Sequence, residues 1–165
     1  DRDPIPELDR AEVDRLVAEG AAPTTRGEGA SWRSYEDEMR AAVTDYVGVR
    51  RTGSGLRRGL AALQALRARD DELGALNPHA LMRTHEARNI RLNAELMAHA
   101  ALAREETRTG SAHRRLDFPD TNEDDWNVFV LLERSEDGPT IRTSPSGQPL
   151  ADSFTRSAHV QGGPA

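Results

Sequence analysis

Apolar residues recur at helical spacing through roughly the first two thirds of the chain and give way to a short β pattern only near Val128. Leu8, Val13, Leu16 and Val17 fall on one side of a helix over Pro6–Glu19, with Gly20 as its stop. Residues 21–31 (AAPTTRGEGAS) have the composition of a linker. Met39, Val43 and the Tyr46/Val47 pair form the stripe of a second helix from Ser34 to about Val47. Ser34 and Asp37 there resemble a capping box in which Asp replaces the usual Glu. Residues 48–55 read as a turn. Leu56, Leu60, Leu63 and Leu66 then predict a third helix from Ser54 to Leu73. Asn77-Pro78 sets an N-cap residue before a proline suited to a first turn. The fourth helix that follows can run to about Arg108, roughly 30 residues or ~45 Å. Its middle, residues 85–95 (HEARNIRLNAE), is unusually polar, which fits either a solvated helix or one packed on another polar surface.

Gly110 and Pro119 bracket an irregular segment. Val128–Glu133 reads as a strand, Glu136-Asp137-Gly138-Pro139 as a turn, and Thr140–Thr143 as a returning strand. The expected fold is mainly α: a bundle of three to four helices, one of them long, then a short β-hairpin and an extended tail. Three regions are expected: an N-terminal helix and linker (1–31), the helical domain (32–143), and a tail (144–165). The tail is rich in Ser, Gly and Pro and reads as disordered or as an arm laid on a partner.

Composition narrows what such a bundle does. Leu, Ile, Val and Phe supply 30 of 165 residues, low for an independent core, and 30% of residues are charged. A domain that completes its core against another chain fits this mix. All 22 basic residues are Arg, which favours forked pairing with carboxylates over hydrated point charges. There is no Cys, so the chain offers no disulfide, thiolate metal site or iron–sulfur ligand. The net charge of −6 and the lack of a basic stripe with interleaved aromatics argue against nucleic acid. No apolar run approaches the ~18 residues of a membrane span. No signal peptide is visible, and a cytoplasmic location is expected.

Several local patterns invite chemistry. Gly53-Ser54-Gly55-Leu56-Arg57-Arg58-Gly59 looks like a dinucleotide loop, but its last Gly falls one residue late and no hydrophobic strand precedes it; it reads as a helix entry. Residues 120–125 (DTNEDD) begin like a calcium loop, but the required Gly is Asp125 and the closing Glu is Leu131, so an acidic turn is expected. None of the five His forms an i, i+4 pair, and no metal site is expected. His113, between Ala112 and the Arg114-Arg115 pair, reads as a surface loop residue or as one that touches a partner. Glu105, Glu106, Arg108, Arg115 and Asp117 form a dense set of opposite charges. No nucleophile–base pair stands out.

The series Glu106-Thr107-Arg108, Arg115-Leu116-Asp117-Phe118-Pro119, Glu123-Asp124-Asp125-Trp126 and Phe129-Val130 resembles the closing segment of the C-terminal helical domain in the fumarate reductase/succinate dehydrogenase flavoprotein superfamily. The Arg108-to-Pro119 spacing is closer to that of adenylylsulfate reductase alpha subunits. Pro78-His79-Ala80-Leu81-Met82-Arg83 with Glu86 is similar to a helix of the same subgroup, and Arg51-Thr52 with Gly55-Leu56 to a turn of the wider superfamily. The resemblance implies a helical domain packed on an FAD-binding domain, with FAD held by a partner chain or upstream domain. The chain starts at Asp1, and an upstream flavin fold is not seen in it. It is therefore expected to be a C-terminal fragment or small subunit of a split or processed FAD-dependent oxidoreductase, not catalytic alone. The resemblance places Glu106, Arg108, His113, Arg115, Asp117 and Trp126 at an interface with the FAD-binding chain, and an iron–sulfur or other electron-transfer protein is a further possible partner. The alternative is a stand-alone helical interaction module without redox chemistry.

Overall fold

The computed structural model of the chain describes residues 8–136 and 138–147. The tail expected over 144–165 therefore lies mostly outside the described residues, as does Asp137 of the expected turn. Among the described residues the fold is mainly helical, with a small antiparallel hairpin near the end. The helices are α1 (Arg10–Arg26), α2 (Trp32–Ala42), α3 (Gly53–Arg67), α4 (Pro78–Ala103) and α5 (Glu123–Trp126). The strands are β1 (Arg50–Arg51), β2 (Arg114–Arg115), β3 (Val128–Glu133) and β4 (Thr140–Pro145).

α1 begins at Asp9, whose Oδ1 accepts the Ala11 N–H at 2.9 Å. It runs past Gly20, the expected stop, and through Pro23 to Arg26. A glycine costs a helix only about 1 kcal/mol, and tertiary contacts hold the continuation. His85 Nε2–H donates to Gly20 O (2.8 Å), and Ala75 N–H to the carbonyl of the buried Pro23 (2.9 Å). The apolar stripe does not face the core: Leu8, Leu16 and Val17 are exposed. Residues 27–31 are stitched to the body rather than loose, with Ala30 N–H bonded to Glu72 O (2.7 Å) and Gly74 N–H to Ala30 O (3.2 Å). The two backbones meet at Gly29 and Gly74, where a Cβ on Gly74 would lie 2.4 Å from Gly27 O and Gly29 N.

α2 is capped by Ser31, not Ser34, whose hydroxyl instead reaches Glu38 Oε1 at 3.4 Å. It widens into a π-helical turn, Val43–Val47, before β1. The core lies between α2, this turn, α3 and α4. Tyr35, Met39 and Val47 meet Leu56, Leu60, Leu63 and Leu66 there, and α4 contributes small residues: Ala87, Ala94, Ala98 and Ala101. The leucine spacing of α3 therefore marks the core face as expected.

α4 starts at Asn77 as its sequence indicates, with Asn77 Oδ1 accepting the Ala80 N–H at 2.9 Å. It ends at Ala103 rather than near Arg108, because Arg104 turns to extended backbone. Two charged residues of the polar middle of α4, Arg91 and Glu95, face into the chain itself, while Glu86, Asn89 and Asn93 are exposed. Arg91 is buried and donates to Glu95 Oε1 (2.6 Å) and Asp70 Oδ2 (3.0 Å), and Tyr35 Oη–H donates to Asp70 Oδ1 (2.6 Å). Buried Glu36 receives Arg83 Nη2 at 2.6 Å and Arg40 Nη2 at 2.5 Å. The outward side of the same helix carries exposed Met82, Ile90, Leu92 and Met97.

β1 and β2 form a two-rung parallel ladder that ties the α3 entry to the segment after α4. β3 and β4 pair antiparallel from Val128↔Pro145 to Glu133↔Thr140, two residues further than expected for the returning strand.

Candidate functional site

The chain leaves α4 at Arg104 and folds back on itself at one end of the bundle. Every residue the sequence nominated for an interface gathers there. Glu106 is 0% exposed. Its Oε1 accepts Arg104 Nη1 (2.5 Å) and Arg108 Nε (2.7 Å), and its Oε2 accepts Arg108 Nη2 and the Asn122 N–H, both at 3.0 Å. Burial pushes this carboxyl up, but the Arg108 fork, the Asn122 amide and Arg104 together hold it below the usual carboxylate value. Arg108 also reaches Glu123 Oε1 at 2.9 Å.

Arg115, 2% exposed, joins two helix ends. Its Nη1 donates to Ala101 O (2.8 Å), Leu102 O (3.2 Å) and Arg104 O (2.9 Å), the orphan carbonyls where α4 stops. Its Nε and Nη2 fork onto Asp117 at 2.8 and 2.9 Å, and Asp117 Oδ2 accepts the Gly53 N–H (2.8 Å) that opens α3. A cation at a helix C-terminus and an anion at a helix N-terminus both complement the helix dipoles. Asp117 is accordingly held well below the usual carboxylate range, first by Arg115. The Arg115 guanidinium also lies 4.9 Å from the Phe118 ring centroid.

Thr107 ties the loop together: its hydroxyl lies 3.0 Å from Arg115 O, 2.8 Å from Phe118 O and 3.0 Å from the Arg115 N–H. His113 is buried, its Nε2–H donating to Arg104 O at 3.3 Å. Burial pushes its pKa down; the Arg104 carbonyl opposes this, and the charges of Arg51, Arg104 and Arg115 add to the fall. Ala112 beside it sits in the left-handed region at φ 55°. Trp126 is half-buried at the end of α5; Arg104 lies 5.4 Å from its ring centroid, and its carbonyl accepts Arg104 Nη1 at 2.9 Å.

All six nominated residues are thus brought together, and Glu106, His113 and Arg115 are turned inward to hold the chain's own backbone. Sequence reasoning missed Arg104, Asn122 and Glu123 as their partners. It also missed the group of buried Arg91 and Glu95 with half-buried Asp70, for which the i, i+4 spacing of Arg91 and Glu95 was the available signal. The acidic turn at 120–125 is a helix start, with Asn122 Oδ1 accepting the Asp125 N–H at 3.1 Å. Gly53–Gly59 is a helix entry and does not fit a flavin phosphate. Its first amide is taken by Asp117, and that of Gly55 by Thr52 Oγ1 at 3.0 Å. Among the described residues, no group of His, Asp or Glu is arranged to hold a metal ion, and no helix is long and apolar enough to cross a membrane.

Residues 36–156 match the family described as fumarate reductase flavoprotein C-term, and the chain belongs to that family. The fumarate reductase flavoprotein subunit of Escherichia coli (strain K12) is 33% identical over 119 residues, covering 68% of this chain and 19% of that protein. An uncharacterized FAD-dependent oxidoreductase of Methanocaldococcus jannaschii is 29% identical over 97 residues, covering 59% of this chain and 17% of that protein. Among solved structures, adenylylsulfate reductase from Archaeoglobus fulgidus superposes with a TM-score of 0.82 at 25% identity, over 88% of this chain and 26% of that one. The E. coli quinol fumarate reductase FrdA shares the fold at a TM-score of 0.65 and 24% identity, over 85% of this chain and 26% of that one. The chain therefore spans about a fifth of the length of the curated relatives it matches.

Proposed function

We propose that this chain completes an FAD-dependent oxidoreductase of the fumarate reductase, succinate dehydrogenase and adenylylsulfate reductase kind, as its C-terminal fragment or small subunit. It docks on the FAD-binding part of that enzyme and is not catalytic alone. The observation that carries this reading is α4. It buries Arg91 and Glu95 beside its core alanines and exposes Met82, Ile90, Leu92 and Met97, which leaves apolar surface open to a partner. The relatives extend far beyond the matched region, which supports a further part of the enzyme as the cover.

In this reading residues 32–143 are the docking domain and 1–31 precede it. Glu106, His113 and Arg115 set the shape of the docking end, and Arg108, Asp117 and Trp126 present it. FAD sits on the partner, and an iron–sulfur or other electron-transfer protein joins the same cytoplasmic assembly.

Gentle purification from the native source, with a visible spectrum and a native mass, tests this. The expected result is a yellow species heavier than 18.1 kDa that contains a flavin-binding part. A colourless 18.1 kDa monomer with cooperative unfolding would overturn it in favour of a stand-alone interaction module.

A further inference from the structure

The β1/β2 ladder sets four arginines on two rungs, Arg50 beside Arg114 and Arg51 beside Arg115. Like charges directly opposite one another destabilise a strand pair. Arg115 is balanced by Asp117. Among the described residues, Arg50, Arg51 and Arg114 have no carboxylate within ion-pair distance, although the chain carries a net charge of −6. Arg50 and Arg114 both project to solvent. Arg51 is partly buried, with Nη2 donating to Ala112 O at 3.2 Å and Nε buried without an acceptor. Val49 and Leu116 flank the ladder, 55% and 46% exposed, and their backbones extend it through Arg114 N–H to Val49 O (3.1 Å) and Leu116 N–H to Arg51 O (2.8 Å). Paired guanidiniums beside exposed aliphatic side chains have the composition of a protein interface, where Arg is enriched and is matched by desolvated carboxylates.

We propose that Arg50, Arg51 and Arg114, with Val49 and Leu116 beside them, dock on a carboxylate-bearing surface of the flavin-binding part of the enzyme. The proposal rests on the reading above that such a part lies against this domain. The occupant follows from charge and place. The ladder hydrogen-bonds into the docking end through Arg114 and Arg115, and the counter-charge that Arg50, Arg51 and Arg114 need is missing from the described residues. The small forked carboxylate contacts that Arg favours then fix orientation, while the exposed α4 face supplies apolar area.

Phenylglyoxal labelling of arginines, located by mass spectrometry, tests this on the whole native enzyme and on the 165-residue chain alone. Arg50 and Arg114 are expected to label several-fold more slowly in the enzyme than in the chain, while exposed Arg10 labels equally in both. A yellow complex in which Arg50 and Arg114 label at the rate of the chain alone overturns this surface and leaves the function standing. If the chain brings down no flavin-binding part, both readings fall. Protection already present in the chain alone assigns the cover to its own termini and also overturns the proposal, as does protection of the chain alone by millimolar inorganic phosphate, which makes it a small-anion site. In a second arm, the Arg50→Glu/Arg114→Glu double variant is expected to weaken association about 30-fold or more, with Arg10→Glu unchanged. Unchanged association of the double variant overturns the surface.

Discussion

Arg115 shows how much one side chain decides here. It neutralises Asp117, caps three carbonyls at the end of α4, and is itself 2% exposed. Arg115→Met keeps most of the volume and removes all of those donors, so a loss of about 3–5 kcal/mol is expected, read as the shift in a urea unfolding midpoint. Arg115→Lys keeps the charge but cannot fork, and should recover only part of that loss. A wild-type midpoint for Arg115→Met would mean water satisfies those carbonyls. Protonation acts on the same cluster in two windows. His113 has its folded pKa below the ordinary 6.5, so the unfolded chain binds the extra proton. Its contribution is complete above pH 6.5 and declines as pH falls from there toward the lowered folded value. Glu106 contributes fully above its ordinary 4.5 and is lost as pH falls through its own lower value. Stability measured against pH should therefore decline in two stages. His113→Gln should flatten the upper one and leave the lower, and a variant that keeps both slopes would remove His113 as the cause.

Among the elements, α1 and its exit strap depend most on context. Gly20 and Pro23 read locally as helix breakers, yet the helix passes both, because His85 and Ala75 take up their carbonyls. The strap that follows needs a backbone-to-backbone approach that only glycine allows. Gly74→Ala places a Cβ 2.4 Å from Gly27 O, against atoms that cannot rotate away, and is expected to cost about 1–3 kcal/mol or more. Hydrogen exchange is the discriminating readout: the Ala30 amide should lose protection while the α3 core amides keep theirs. Equal loss across the chain would show that the strap and bundle unfold together. α3 behaves in the opposite way. Its four leucines face the core at the spacing the chain displays, because a periodic apolar stripe has a single way to be buried.

For the molecule as a whole, α4 separates two questions that its sequence merges. A polar helix reads as solvated or as partner-facing, but α4 buries Arg91 and Glu95 beside its small alanines and leaves its larger apolar residues Met82, Ile90, Leu92 and Met97 exposed. Low hydrophobicity therefore reflects ionic packing in the interior as well as open surface. The docking reading leads to a measurement at this scale. Addition of the flavin-binding part should raise the unfolding temperature of the chain, because a ligand of the folded state alone stabilises by mass action. No shift at saturating partner would count against docking.

The sequence by itself determined the bundle, the long helix opening at Asn77-Pro78, the hairpin and the family, because periodicity, caps and motif residues are local signals. It also nominated Glu106, Arg108, His113, Arg115, Asp117 and Trp126 for an interface, residues that the fold gathers at one end of the bundle. Only the tertiary structure decided that Glu106, His113 and Arg115 turn inward, that α4 stops at Ala103, and that Arg50 and Arg114 share a rung. Those outcomes depend on which distant donor meets which orphan acceptor. Arg115 reaches carbonyls 11 to 14 residues away, and Asp117 an amide 64 residues away. Such pairings have no period along the chain, so they become legible only once the helices are packed.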